Sequence, residues 1–510
     1  MRCFFEDMKQ FADTDRIAMI YGETKLSYHD MWYGSEAIGA FLRTVKSDAP
    51  IIIWGNRENE VVMCFYGVIK GGHAYVFIPN SYPENRVQTI LDDCGANTVI
   101  SVCDMPFPIE KEGLTVVSKQ RFTEILKEYS NITLSSSGYR PLDKPWQIIY
   151  TSGSTGKPKG VLITGNNILA KFEISLKPTR QYYHPEGTRC LSAGSYAFSI
   201  SLMTIYYDIG VVGATVYVFP PDVLTDYPAL YEFILKTSPN IFLGTPSFYE
   251  ICLCDPRFSS EYLPDLYYLC VGGEMFSRSL YNRLRSRFPN SDIFNGYGST
   301  EMASAPFMCK ITDELLASSD AEVLPVGNTE YNNDAILVCD DDGNELPDKT
   351  VGELYVAGEC VSPGYLNRKE LNDAVFFTYK DGRRGFKTRD LVVKDGNYIY
   401  YKGRKDNMVK IGGNRVELED VEANLCKIDT VSLCVAVPVY ENDTAVMLAA
   451  YIVLKDNSDR SYKAISHIKK EMSKLVQPYM VPQKIVFVDE LMKNPNGKLD
   501  RKGYTEMSRI

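Results

Sequence analysis

Short apolar runs and amphipathic stretches alternate along most of the chain. Ile51-Ile-Ile-Trp54, Ala74-Tyr-Val-Phe-Ile78, Thr98-Val-Ile-Ser101 and Leu114-Thr-Val-Val117 are too short for helices and read as strands. Asn59–Lys70 and Pro83–Asp92 carry helical spacing between them, and Lys25-Leu-Ser-Tyr28 reads as a capping turn before the first helix. The pattern resumes with a strand at Trp146-Gln-Ile-Ile-Tyr150 and a helix over Asn166–Leu176. Further strands are predicted at Arg189–Ala193, Ala214–Phe219, Ile241–Leu243, Tyr267–Val271 and Asp292–Asn295. Strands separated by helices imply parallel sheets covered on their faces, an α/β fold.

From about residue 322 the texture changes to strands and tight turns. Asp340-Asp-Asp-Gly-Asn344 reads as a hairpin turn and Gly352-Glu-Leu-Tyr-Val-Ala-Gly358 as a strand with glycine ends, so a β-subdomain is expected. Beyond Asp406 the pattern is α+β. Helices are predicted at Glu417–Lys427 and Tyr462–Leu475, and strands at Val431–Val439, Ala445–Val453 and Lys484–Val488.

Composition narrows the function classes. The formal net charge is −10, which argues against general binding of nucleic acid or anionic membranes. No apolar run approaches the ~18 residues of a spanning helix. The N-terminus, Met1-Arg-Cys-Phe-Phe-Glu-Asp-Met8, lacks the unbroken apolar core of a signal peptide. The 13 cysteines are scattered, without zinc spacing, and the four histidines sit in no metal motif. A cytoplasmic protein with reduced cysteines is expected.

The candidate chemistry begins at Thr151-Ser-Gly-Ser-Thr-Gly-Lys-Pro-Lys-Gly160, directly after a strand. Glycines let several N–H groups converge, hydroxyls add donors, and Lys157 and Lys159 add charge: equipment for gripping a polyphosphate. It is not a Walker A loop, because only two residues separate Gly153 from Gly156 and Pro158 follows Lys157. A flexible Ser/Gly linker has similar composition. Three further turns follow strands, where α/β proteins place ligands: Phe198-Ser-Ile-Ser201, Val271-Gly-Gly-Glu-Met275 and Asn295-Gly-Tyr-Gly-Ser-Thr-Glu301. Tyr297 offers a flat face to a base, and Thr300 and Glu301 offer oxygens to a phosphate-bound Mg²⁺.

Taken in order, these motifs resemble those of the adenylate-forming superfamily, nearest to stand-alone adenylation domains and D-alanine–carrier protein ligases. The resemblance also rests on Gly72-His-Ala-Tyr-Val76, Gly352–Tyr365, Lys387–Leu391, Gly403–Glu422, Pro478–Pro482 and Asn496–Arg501. It implies an N-terminal adenylation core over 1–402, a hinge over 403–407 centred on Asp406, and a mobile C-terminal domain over 408–510. It implies ATP and Mg²⁺ as cofactors, with Lys498, Thr155 and Glu301 catalytic and Glu301 on the metal. Thr151, Ser152, Gly153, Ser154, Thr155, Gly156, Lys157, Gly273, Glu274, Asn295, Gly296, Tyr297, Gly298, Thr300, Asp390 and Arg404 would hold the nucleotide. Phe198, Ser199, Ile200, Met203, Leu243, Cys270, Gly272, Gly296, Ser304 and Ala305 match the acid pocket. The implied reaction is activation of a small carboxylic acid as acyl-AMP, then transfer to the phosphopantetheine thiol of a carrier protein acting in trans, or to CoA. The different-class alternative is a non-catalytic scaffold that kept the fold.

Two positions depart from the family. Ser199 stands where amino-acid activators carry the aspartate that pairs with the substrate's α-ammonium. A buried unpaired ammonium costs several kcal/mol. Either the acid lacks that group, as an aryl acid does, or another residue replaces the aspartate, with Glu274 a nearer candidate than Asp208. Arg389 stands where the family has glycine, beside Asp390, either to contact a phosphate or to distort the turn.

Overall fold

Ile51–Gly55 is buried at every position, as a strand covered on both faces must be. In the computed structural model it lies in a six-stranded sheet of order 115–117, 98–101, 51–55, 75–79, 145–151, 159–164. The model describes residues 4–152, 158–176, 178–184, 187–317, 323–332, 334–441, 444–455, 460–492 and 499–509, the side chains of 173–176 and 305 excepted. The described chain divides into two compact units. One comprises 1–80, 94–149 and 160–405; the other comprises 81–93, 150–159 and 406–510.

The second large sheet of the first unit has eight strands. Arg189–Ser192, Ile241–Gly244, Tyr268–Gly272 and Asp292–Ser299 run parallel, and Ser304–Lys310 closes that edge antiparallel. Apolar residues of these strands and their helices, among them Leu191, Phe242, Leu269, Tyr249 and Leu284, form one buried cluster. Parallel register brings Leu243 beside Cys270, and Gly272 beside Gly296. The β-subdomain is a third sheet of six strands, in which Ala335–Cys339, Val351–Ala357, Arg384–Asp395 and Tyr398–Arg404 pair antiparallel.

Within the second unit, Val431–Glu441 pairs antiparallel with Thr444–Leu454, which pairs parallel with Lys484–Phe487. Val421, Leu425, Leu448, Ile468 and Met472 fill the space between this sheet and its helices. Arg501 grips Glu422 with both guanidinium nitrogens, at 2.5 and 3.1 Å, and anchors the helix Arg501–Met507.

Three elements differ from the sequence reading. Asn295-Gly-Tyr-Gly-Ser299 is strand, not turn: the sheet continues through it because an antiparallel partner lies alongside, and the turn is Thr300–Met302. Met203–Val212 is a π-helix that an apolar run could not announce. The helix Arg501–Met507 is an element for which the sequence reading gave none. No described helix is long and apolar enough to cross a membrane, and no disulfide joins the described cysteines.

Candidate active site

The carboxyl ends of the parallel strands carry most of the predicted site. Gly272 tolerates no side chain, because a Cβ there would meet the Gly296 carbonyl oxygen at 2.7 Å. The next residue, Gly273, has φ +90°, which glycine adopts without strain. The absent side chain at Gly272 lets its strand lie close against Gly296. Leu243, Met203 and Ser304 are buried nearby on their own elements, and Cys270 is partly buried. Phe198, Ser199 and Ile200 are half-buried on the turn entering the π-helix.

Ser199 meets the last motif directly. The Thr300 hydroxyl donates to Ser199 Oγ at 3.4 Å, so two turns a hundred residues apart converge. Glu301, next in sequence, is fully buried, and its Oε1 accepts from the Tyr365 hydroxyl at 2.8 Å. Ala303 and Ser304 follow with φ of +50° and +95°, conformations that cost non-glycine residues about 1–3 kcal/mol each and cluster where structure is over-determined. The Ser299 hydroxyl is buried with no partner. An orphaned hydroxyl beside a buried carboxylate suits a phosphate–cation ligand, and Mg²⁺ needs as few as one or two protein carboxylates when phosphates supply the rest. Among the described residues no group of three His, Cys, Asp or Glu side chains could hold a metal ion.

Asp390 is the second focus. It is 6% exposed and sits in cross-strand register with Arg404. The Arg404 guanidinium binds Asp390 Oδ1, and the Tyr297 hydroxyl donates to Oδ2. Burial, then the Asp390 charge, pushes the Tyr297 hydroxyl well above the usual phenol range, so it stays a donor. The Asp390 backbone N–H donates to Thr388 Oγ1 at 3.0 Å. A carboxylate has about four acceptor sites, so sugar hydroxyls can still be received here. Arg389 has φ +62°, the left-handed region that favours glycine. Its N–H donates to Glu353 at 2.9 Å and its carbonyl accepts from Lys405 N at 2.9 Å, so the strand carries a kinked turn there.

Other predicted residues are placed as follows. Glu274 Oε2 accepts from the Ser247 N–H at 3.0 Å and the Ser247 hydroxyl at 2.5 Å, at the start of the helix Pro246–Leu253. Asn295 donates to the Pro325 carbonyl at 2.9 Å, a buried structural bond. Gly296 and Gly298 lie within the Asp292–Ser299 strand. Thr151 is buried with an unpartnered hydroxyl, and Ser152 Oγ donates to the Arg415 carbonyl at 3.1 Å. Asp406 Oδ1 accepts from Met408 N at 3.4 Å. Lys498, Gly153, Ser154, Thr155, Gly156, Lys157 and the Ala305 side chain lie outside the described residues. Tyr365 went unread in the sequence; only its place at the end of the Gly352–Tyr365 motif could have flagged it.

The model of the AMP-binding enzyme family matches residues 4–366, and that of the AMP-binding enzyme C-terminal domain matches 420–498. This chain belongs to the AMP-binding enzyme family. As a member it is an ATP-dependent, AMP-forming ligase. This AMP-binding enzyme is 34% identical over 493 residues to the D-alanine–D-alanyl carrier protein ligase of Lacticaseibacillus casei strain BL23, covering 96% of this chain and 95% of the relative. It is 32% identical over 487 residues to the ligase of that name from Listeria monocytogenes serotype 4b, with 94% of each covered. Its fold is similar to the Vibrio cholerae adenylation domain AlmE in complex with glycyl-adenosine-5'-phosphate, at TM-score 0.84, 19% identity and coverage of 99% and 96%. It is also similar to the fused adenylation–PCP di-domain NpsA-ThdA from Klebsiella oxytoca, at TM-score 0.78, 23% identity and coverage of 94% and 92%.

Proposed function

We propose that this enzyme activates a small carboxylic acid, an aryl acid or an atypical amino acid, as its acyl-AMP and then loads the phosphopantetheine thiol of a separate carrier protein. The observation that carries the reading is the bond from Thr300 to Ser199, which joins the acid-pocket turn to the turn bearing Glu301. The full-length similarity to ligases named for a carrier protein supports the acceptor. The ordinary α-amino acid of those ligases fits less well, because Ser199 cannot balance an ammonium and Glu274 is engaged by Ser247.

In the first half-reaction the acid's carboxylate oxygen bonds to the α-phosphorus of ATP and the bond to pyrophosphate breaks. Two anions must meet, so the protein's work is neutralisation and alignment. We assign the 151–157 loop to the β- and γ-phosphates, Asp390 to the ribose hydroxyls, Tyr297 to the base, and Arg404 to holding Asp390. Lys498 would bridge the carboxylate and the α-phosphate. At about 4 Å and an effective dielectric near 20 that contact is worth roughly 4 kcal/mol. Bound Mg²⁺, held by Glu301, would neutralise phosphate charge. In the second half-reaction the thiol sulfur bonds to the acyl carbon and AMP leaves. A thiol of pKa about 8.5 is already partly ionised near neutrality, so access matters more than a strong base. Residues 403–407, centred on Asp406, are the proposed hinge between half-reactions.

The test is ATP–pyrophosphate exchange across amino acids, aryl acids and short aliphatic acids, followed by thioester detection on a phosphopantetheinylated carrier and on CoA. Exchange with an acid lacking an α-ammonium and thioester on the carrier are expected. Exchange with an ordinary α-amino acid alone would overturn the pocket assignment, and thioester on CoA alone would overturn the acceptor.

A further inference from the structure

The helix Gly165–Leu176 packs against the π-helix Met203–Val212 and the strand Ser304–Lys310, two elements that open with acid-pocket residues. One residue of that helix, Lys171, is buried to 2% exposure. A helical lysine ordinarily threads its stem over apolar surface and keeps its ammonium in water. Lys171 is instead turned inward, close enough to the Cys270 thiol on a third pocket wall for each to act on the other's charge.

The obvious structural explanation is an ion pair with Asp208, and it fails on geometry. Asp208 is 0% exposed, on the π-helix about one turn beyond Met203. Neither of its oxygens has a hydrogen-bond partner, so the Lys171 ammonium does not hydrogen-bond to it. Both Asp208 oxygens are sealed off. Tyr183 completes the cluster with another buried unpartnered hydroxyl, its ring edge-on to Tyr207 at 4.9 Å. Burial lowers the Lys171 ammonium to about 8, with Cys270 and Asp208 opposing the fall, so it remains mostly charged near neutral pH. A buried cation without a hydrogen-bonded anion is costly and invites one. At Ser199 the pocket has no carboxylate to compete with that anion for the ammonium.

We propose that Lys171 sets the substrate class of the acid pocket: the preferred acid carries a second anionic group, a distal carboxylate in the simplest case, which pairs with the Lys171 ammonium while the near carboxylate is activated. This rests on the adenylation reading above and narrows it. Asp208 sits behind Lys171 as a positioning residue, with no contact to the acid.

The full-length enzyme is tested by ATP–pyrophosphate exchange with aliphatic and aromatic dicarboxylic acids, malonate, succinate, glutarate and phthalate among them, each beside its monoamide. The expected result is at least a thirtyfold higher kcat/KM for one diacid than for its monoamide, and a ratio near one in Lys171→Met. Because Lys171→Met leaves Asp208 buried alone, Lys171→Met with Asp208→Asn is measured in parallel, with circular dichroism confirming the fold. The same collapse of the ratio is expected there. Exchange that favours the monoamide, a simple monocarboxylic acid or an α-amino acid would overturn the Lys171 assignment and leave adenylation standing. So would a diacid preference that survives both variants. No exchange with any acid by folded enzyme would overturn the adenylation reading itself, and this proposal with it.

Discussion

Arg404 and Asp390 face each other across two antiparallel strands, their side chains only 10% and 9% exposed, with Tyr297 on the second carboxylate oxygen. Removing one member of a buried ion pair leaves the other uncompensated, at a cost of about 3–5 kcal/mol. Arg404→Ala should therefore lose about 3 kcal/mol in urea denaturation and raise KM for ATP. Unchanged stability would mean that the pair does not hold Asp390.

Gly272 is defined by the 2.7 Å that a Cβ would leave to the Gly296 carbonyl oxygen. Neither backbone can yield without moving a strand of the sheet. Gly272→Ala should cost about 1–3 kcal/mol and raise KM for the acid. A variant with wild-type melting temperature and wild-type KM would show that the approach of Gly272 to Gly296 is not tight.

Asp208 gives a pH signature. Burial raises its carboxyl from 3.8 to about 7, against the Tyr183 hydroxyl and Lys171, with Cys270 also nearby. The folded state then holds a proton that the unfolded state has released, so this group's contribution to stability falls as pH rises from about 4 to about 7. Lys171, lowered from 10.5 to about 8, has the opposite slope, regaining stability between those values. Relative to Asp208→Asn, wild type should lose stability between about pH 5 and pH 7 in chemical denaturation. A difference that stays flat across that range would contradict the buried, unbonded carboxyl.

Arg389 holds φ +62° in the turn beside Asp390. Left-handed backbone costs an ordinary residue roughly 1–2 kcal/mol, and glycine returns about 0.4–1 kcal/mol of that through unfolded-state entropy. Arg389→Gly should be stabilising by up to about 1 kcal/mol. A net loss would mean that the guanidinium makes a contact worth more than the strain.

The strand runs were legible because parallel strands buried on both faces are nearly all apolar, as in Ile51–Gly55. The Asn295–Ser299 segment misled because its two glycines signal a turn, whereas here they flank Tyr297 within a strand. The π-helix was hidden because a mostly apolar stretch gives no clear helical period to read. At the site, Ser199, Glu301 and Asp390 stood in recognisable motifs, but Tyr365, which fixes Glu301, lies 64 residues further on. Lys171 was the least visible of all. A lysine in an amphipathic helix reads as a solvated face, and only the packing of three distant elements turns it inward.

The central claim is acid-dependent adenylation with Lys498 bridging the carboxylate and the α-phosphate. The most direct measurement is acid-dependent ATP–pyrophosphate exchange by wild type and by Lys498→Ala at matched concentration. Removing one preorganised charge contact in an active site costs about 10²–10³ in rate, so wild type should exchange with at least one acid and Lys498→Ala should fall by about a hundredfold or more. Equal exchange by the two proteins, or none by folded wild type with any acid, would contradict the account.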